Sequence, residues 1–212
     1  MAREKKFSTE DMYMETHKLL LSVGYDKFSF GLLATSLKVS RAAIYKYYTN
    51  KDELIYSYMV SEMEKMVEDL DQIEWISGYL SQFQQLFALI FEYSDLHQIS
   101  FMIPTNGKTD SAKIKEKKQQ SLVLHKRFFE QIQQFIQIGQ DKGYIKQTIP
   151  IGLIIELIFH SVTIPNRSRL TQQERASFLQ EIICQGIFEN QSDTSVTLRH
   201  TNCTTYELVY LK

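Results

Sequence analysis

Cysteine, proline and glycine are all scarce in this chain: two, three and eight among 212 residues. Cys184 and Cys203 form no CxxC pair and stand in no metal-ligand spacing. A disulfide framework and a zinc site are therefore not expected, and a reduced, cytoplasmic setting is. Long hydrophobic runs are missing too. The longest, Ile149 to Ile164, is interrupted by Glu156 and His160 and flanked by Pro150 and Pro165, too short to cross a bilayer comfortably. The first residues are polar and charged, without the apolar centre of a signal peptide, so no membrane partner is expected. Also missing are a GxSxG elbow, an HExxH pair, a phosphate-cradling glycine loop and a dinucleotide fingerprint, while His97, His125 and His160 are scattered. Neither enzymatic chemistry nor a cofactor is expected.

What is there is a chain that can fold. Apolar residues make up 43% and aromatics 12%, enough for a packed core. The few breakers and long periodic stretches predict an all-α protein of about nine helices. The net charge of −1 hides an asymmetry. Residues 1–51 carry nine Lys/Arg against five Asp/Glu, a net of +4, which leaves −5 for the remainder. A basic N-terminal module on an acidic body suits a polyanionic partner.

Ser8, with Asp11 three residues on, predicts the start of a first helix that Gly24 ends. Its buried face would hold Met12, Thr16, Leu19, Leu20 and Val23. A second helix is expected from about Ser29 to Leu37, turning Leu32, Leu33, Ala34 and Leu37 to the core. The turn Lys38-Val39 leads to a third, from Ser40 to about Tyr47. Thr49 or Asn50 caps a longer fourth helix, with Asp52 and Glu53 in its first turn and Leu54, Met59, Met63, Met66 and Leu70 on its apolar side. Beyond residue 74, one helix is expected from Ile76 to His97, burying Leu80, Phe83, Phe87, Ile90 and Phe91. A short apolar piece, Ile99 to Ile103, follows, then a polar loop at 105–110. A long helix over 111–142 closes at Gly143, an apolar helix covers 150–163, and Thr171-x-x-Glu174 opens the last, to about Phe188. Residues 190–212, with β-like composition at Val196–Leu198 and Tyr206–Leu211, form a tail, a small hairpin or sequence unrelated to the fold. The expected organisation is a DNA-binding domain over 1–50, a helical ligand-binding and dimerisation domain over 51–189, and that tail.

The second and third helices are joined by a turn too short for antiparallel packing, so they cross steeply, as a helix-turn-helix requires. Ala34 is small where they approach, and Leu33, Leu37, Val39 and Ile44 take inward positions. The third helix then presents Ser40, Arg41, Ala42, Ala43, Tyr45, Lys46 and Tyr47 outward. Small residues at its start would let its N-terminus enter a major groove. Arg41 has the fork to grip a guanine edge, and Tyr45, Tyr47, Lys46 and Lys51 have donors for flanking phosphates.

Gly24-Tyr-x-x-Phe28, Leu33-Ala34, Leu37-Lys38-Val39-Ser40 and Ile44-Tyr45-x-Tyr47-Tyr48-x-Asn50-Lys51-x-x-Leu54 resemble the N-terminal signature of the TetR family of transcriptional regulators. The resemblance covers roughly residues 8–56; beyond them it extends only to helical layout and length. It implies a homodimeric, usually repressive regulator whose two heads meet successive major grooves of a partly palindromic operator in double-stranded DNA. By position it places Ser40, Arg41, Ala42 and Ala43 at the bases and Tyr45, Tyr47 and Lys51 at the phosphates. Two departures stand out. Phe30-Gly31 occupies the place of a frequent Thr-Arg pair, leaving Ser29 to cap that helix. Lys38 stands where Gly is common, so a left-handed backbone there would cost about 1 kcal/mol, offset by a phosphate contact from the lysine.

For the larger half, the resemblance implies a cavity between the helices at 76–97, 111–142 and 150–163. Its candidate lining is Phe83, Phe87, Phe91, His125, Phe128, Phe129, Glu156 and Phe159, for a small, largely apolar or cationic effector. Glu156, set in an apolar run, would face a cationic ligand, a group of a second subunit, or water at the rim. The resemblance also implies an intermolecular four-helix bundle of the last two helices, with Ile154, Ile155, Ile158 and Val162 meeting Phe178 and Ile182. Other readings are a ligand-independent or activating regulator of the same fold and, of a different class, a helical protein-binding adaptor, against which the cluster of Arg41, Lys46 and Lys51 speaks.

Overall fold

A computed structural model describes residues 7–73, 78–104 and 111–189; the 105–110 loop, Cys203 and the β-like stretches after residue 190 lie outside it. The described residues form nine α-helices and no strand, with one isolated antiparallel bridge between Ile145 and Phe188.

Helix α1 spans Thr9–Lys27 and begins with the expected reciprocal cap, Ser8 accepting from the Asp11 N–H and Asp11 accepting from the Ser8 N–H. Met12, Thr16 and Leu20 are its buried stripe. Gly24 does interrupt it, at φ 76°, but a further turn carries the chain to Lys27. Helix α2 (Phe30–Leu37) is capped by the Ser29 hydroxyl and buries Phe30, Leu33 and Ala34. Leu32, expected inside, is exposed, because Phe30, Leu33 and Ala34 form the inward stripe and Leu32, two residues from Phe30, points to the opposite side of the helix. Helix α3 (Arg41–Tyr45) is capped by Ser40 and continues as a turn through Tyr47, two residues shorter than expected. Ile44, fully buried, pins it to α1 and α2.

Helix α4 (Lys51–Asp71) is capped by the Asn50 side chain and carries Asp52 and Glu53 in its first turn. Leu54, Ile55, Tyr58, Met63, Val67 and Leu70 are all buried along it, each contributing about 1.5–3 kcal/mol of apolar transfer. It packs lengthwise on α7 (Ala112–Asp141) and shares one continuous apolar core with the three N-terminal helices. The helix expected over 76–97 is two: α5 (Tyr79–Glu92) and α6 (Ser94–Met102), broken at Tyr93, whose hydroxyl donates to Asp69 of α4 at 2.5 Å. The apolar piece at 99–103 is thus the end of α6. Leu80, expected inside, is exposed, while the neighbouring Tyr79 is buried, stacked on Phe135 and Tyr144 and donating to the Phe135 carbonyl.

Helices α8 (Ile151–Ser161) and α9 (Gln172–Ile187) close the body, α9 opening with the Thr171/Glu174 capping box. Arg175 of α9 donates to the Ser161, Val162 and Ile164 carbonyls, tying α9 to the C-terminal end of α8 and the turn after it. Lys146 and Glu189 donate backbone N–H groups to Ile187 and Tyr144, tying the α7–α8 connection to the end of α9.

Candidate nucleic-acid interface and internal cavity

Burying Ile44 and half-burying Val39 and Tyr48 turns the rest of α3 outward. Ser40, Arg41, Ala42, Tyr45, Lys46 and Tyr47 are exposed and Ala43 is half-buried, so seven of the ten sequence-assigned positions share one face. Tyr48 sits behind that face, hydrogen-bonded to Tyr13 at 3.0 Å; burial, then that bond, pushes its phenol pKa upward.

The hydroxyls of Ser29 and Ser40 are engaged as N-caps, accepting from the Leu32 and Ala43 N–H groups. Both residues place backbone at helix starts rather than offering a free hydroxyl. Lys38 adopts the left-handed conformation, φ 57° and ψ 42°, at the end of α2, and its side chain is exposed. Lys51 differs from the outward set. Its ammonium donates to the Tyr25 carbonyl at 2.8 Å and lies 4.1 Å from the centre of the Tyr25 ring, while Tyr25 donates to Asp52. The lysine clamps the end of α1 to the start of α4.

Two of the three residues that depart from the family pattern, Phe30 and Gly31, prove to be partners of α3. The Phe30 ring meets Tyr45 edge-on at 5.0 Å. Gly31 lies under the Arg41 guanidinium: a methyl group at Gly31 would stand 2.9 Å from an Arg41 terminal nitrogen. Nothing in the sequence announces these two positions as a platform for the side chains of α3.

In the body, one cavity of about 280 Å³ is enclosed by α4, α5, α6, α7 and α8. His125, Phe128, Phe129 and Phe159 line it as expected from the sequence. Phe83, Phe87 and Phe91 do not: Phe87 stacks on both of the others in the solid core, with Phe83 also against Phe188. Glu156 does not either, since its turn of α8 faces outward and leaves it exposed. His97 of α6 lines the cavity as well, and so do Met59, Met63 and Met66 of α4, which the sequence did not single out because their helical spacing equally marks a plain core stripe. A larger depression of about 490 Å³ runs along one outer face of α7 beside Gln133 and Gln137; a single helix lines it, so it encloses nothing.

Two polar bridges link the N-terminal helices to this body. His17 of α1 hydrogen-bonds the Tyr58 hydroxyl of α4 at 2.7 Å and pairs with Asp95 of α6 at 3.4 Å. Glu53, buried at the start of α4, accepts from the Thr49 N–H and hydroxyl and from Lys113 of α7 at 3.1 Å. Burial pushes the Glu53 carboxyl pKa upward, but the Thr49 and Lys113 bonds outweigh it and hold it below the usual range.

The expected dimer residues divide by face. Ile154, Ile155, Ile158 and Val162 are buried in their own subunit and cannot meet a second copy, because α7 and α9 already cover that side of α8. Phe178 and Ile182 are 52% and 65% exposed, and Leu153 and Leu157, one turn apart on the outer side of α8, are exposed with them. Among the described residues no group of three His, Cys, Asp or Glu is placed to hold a metal ion, and no helix is long and apolar enough to cross a membrane.

Residues 15–57 match the family described as bacterial regulatory proteins, tetR family. The fatty acid degradation regulator FadR of Bacillus halodurans is 15% identical, with 87% of this chain and 98% of that one aligned at a TM-score of 0.66. KstR2 of Mycobacterium tuberculosis, a ketosteroid transcriptional regulator, is 15% identical over 90% of this chain and 100% of its own, TM-score 0.67. A transcriptional regulator from Saccharomonospora viridis, solved in complex with choline, is 14% identical over 86% and 98%, TM-score 0.67. A comparison with proteins of curated function finds no match.

Proposed function

From the fold and N-terminal domain of a TetR-family DNA-binding transcriptional regulator, we propose that this chain acts as a homodimeric repressor, released from a palindromic operator by a small molecule held in the body cavity. The observation that carries the reading is the outward face of α3, where Arg41, Tyr45, Lys46 and Tyr47 are exposed beside a buried Ile44. Arg41 is the base reader, through paired hydrogen bonds to a guanine edge. Tyr45, Lys46, Tyr47 and the exposed Lys38 hold the phosphates on either side. Ser29 and Ser40 aim helix starts at the duplex, and Lys51 braces the head rather than gripping DNA.

The second copy docks on Leu153, Leu157, Phe178 and Ile182, completing a four-helix bundle from α8 and α9 of each subunit. The effector acts through α6. That helix lines the cavity with Leu96 and His97 and, from the adjacent position, reaches the reading head through Asp95 and His17. A ligand that favours one position of α6 favours one spacing of the two heads, and only one spacing matches two successive major grooves. Solved proteins of this fold include regulators named for fatty acid degradation and ketosteroids and one solved with choline, in keeping with a small organic effector.

The test is a gel-shift titration of the full chain on the DNA upstream of its own gene across a salt series. Affinity should fall steeply and linearly on a log–log plot, with specific competitor displacing far better than random DNA. A shallow slope and no discrimination would favour the protein-binding adaptor instead. Scattering during effector release should still find dimers; monomers would contradict the mechanism.

A further inference from the structure

The cavity is built in two zones. Its deep end is methionine and hydrocarbon: Met59, Met63, Met66, Ile90 and Phe128 are all buried, and three flexible thioethers adapt to an apolar body without fixing its shape. Its mouth is marked by Phe101 and Phe129, which line the cavity yet are 67% and 41% exposed. There the Phe101 ring stands 4.9 Å from the His97 ring, and His97 lies 5.8 Å from Phe159. The polar groups gather at this end. His97 lines the cavity with Nε2 buried and without a hydrogen-bond partner. His125 is bonded back to Ser121 of its own helix, and Ser100 lies one turn from His97.

We infer that the effector is an amphiphile with an anionic head, a medium-chain carboxylate, its head against His97 near the mouth and its hydrocarbon body among the α4 methionines. The inference rests on the effector-responsive reading above. Size is consistent: about 30 Å³ per water-sized volume gives room for roughly nine such groups, a chain of medium length. Charge decides the head. No carboxylate lines the cavity, so a buried ammonium would find no counter-ion. A quaternary ammonium would also leave the His97 nitrogen unbonded, whereas a carboxylate both accepts its N–H and favours a second proton on the ring.

The groups that set this proton come from every wall. Burial, then the nearby His160 of α8 and His125 of α7, lower the His97 pKa in the free protein. Tyr93 stands at the start of α6, and α4 and α5 face the cavity with methionines and Ile90 alone. Asp95 points away, to His17. An arriving anion opposes all three causes and raises the His97 pKa, so binding takes up a proton and tightens as pH falls.

The experiment is calorimetry on the full-length free protein with octanoate, 1-octanol and octyltrimethylammonium. Octanoate should bind at least about tenfold more tightly than either, and more tightly at about pH 6 than at about pH 8. His97→Phe, which keeps the volume, should abolish both the preference and the pH dependence; a thermal melt confirms that it folds. Equal or tighter binding of the alcohol or the ammonium, no binding of any probe, or a His97→Phe variant that keeps the preference would overturn the inference. None of these outcomes touches operator binding, which the gel shift measures separately.

Discussion

Arg41 lies across the bare backbone of Gly31: the position a β-carbon would take on α2 is 2.9 Å from an Arg41 terminal nitrogen and 3.2 Å from Nε. Together with Phe30 against Tyr45, this makes the start of α2 a seat for the two most prominent side chains of α3. Gly31→Ala has a helix-favouring residue in place of glycine, so the fold should hold or gain up to about 1 kcal/mol. The guanidinium must nevertheless shift. Selection of bound sites from a randomised operator should show altered preference at one base step, the step that Arg41→Ala relaxes by about 1–3 kcal/mol. An unchanged preference in Gly31→Ala would mean that the arginine is not seated by the glycine when DNA is bound.

Lys38 holds a left-handed backbone that glycine adopts without steric cost. Lys38→Gly should therefore raise unfolding stability by about 1 kcal/mol, read as a higher denaturant midpoint. It should also lower the salt slope of operator binding by about one. A gain in stability with an unchanged slope would show that the lysine only tolerates the turn.

The outer faces of α8 and α9 carry the dimer contact in this account. Leu157→Glu or Ile182→Glu should give monomers by light scattering with an intact helical spectrum, since both side chains are exposed in the single subunit. Ile158→Ala, on the inner face, should cost about 2–5 kcal/mol of stability through the cavity it leaves. Dimers that survive both glutamates would place the interface elsewhere.

Asp95 joins the cavity helix to the reading head. Its pair with His17 is half-exposed, so Asp95→Asn should change stability by no more than about 1 kcal/mol. Operator affinity without effector should stay within roughly threefold, while the drop caused by octanoate should shrink. A full response to octanoate in Asp95→Asn would remove this bridge from the mechanism.

The sequence was most informative where local chemistry decides structure. Ser8, Asn50 and Thr171 cap the helices their spacing announces, and Ile44 goes inside because no other residue of so short a helix can. It was least informative where two buried faces compete. Periodicity marks Phe83, Phe87 and Phe91 as buried but cannot say whether a core or a cavity lies beyond them. The stretch 150–163 is apolar all round, so Ile158 and Leu157 look alike until α7 and α9 cover one and leave the other. The break at Tyr93 has no glycine or proline to announce it. Nor does composition reveal that Arg175 is spent on three carbonyls at and just past the end of α8. Cys184 is half-buried, and burial pushes its thiol up to about 11, away from the reactive thiolate, which its place in the sequence does not reveal.

The central claim is that α3 reads DNA bases as one of a symmetric pair. Footprinting of the purified chain on the region upstream of its own gene tests it most directly, with Arg41→Ala alongside. The account predicts two protected half-sites related by a two-fold axis and spaced by about 10 base pairs or a multiple of it, sharply weakened in the variant. Protection without two-fold pattern, or a variant indistinguishable from the native chain at low salt, would contradict it.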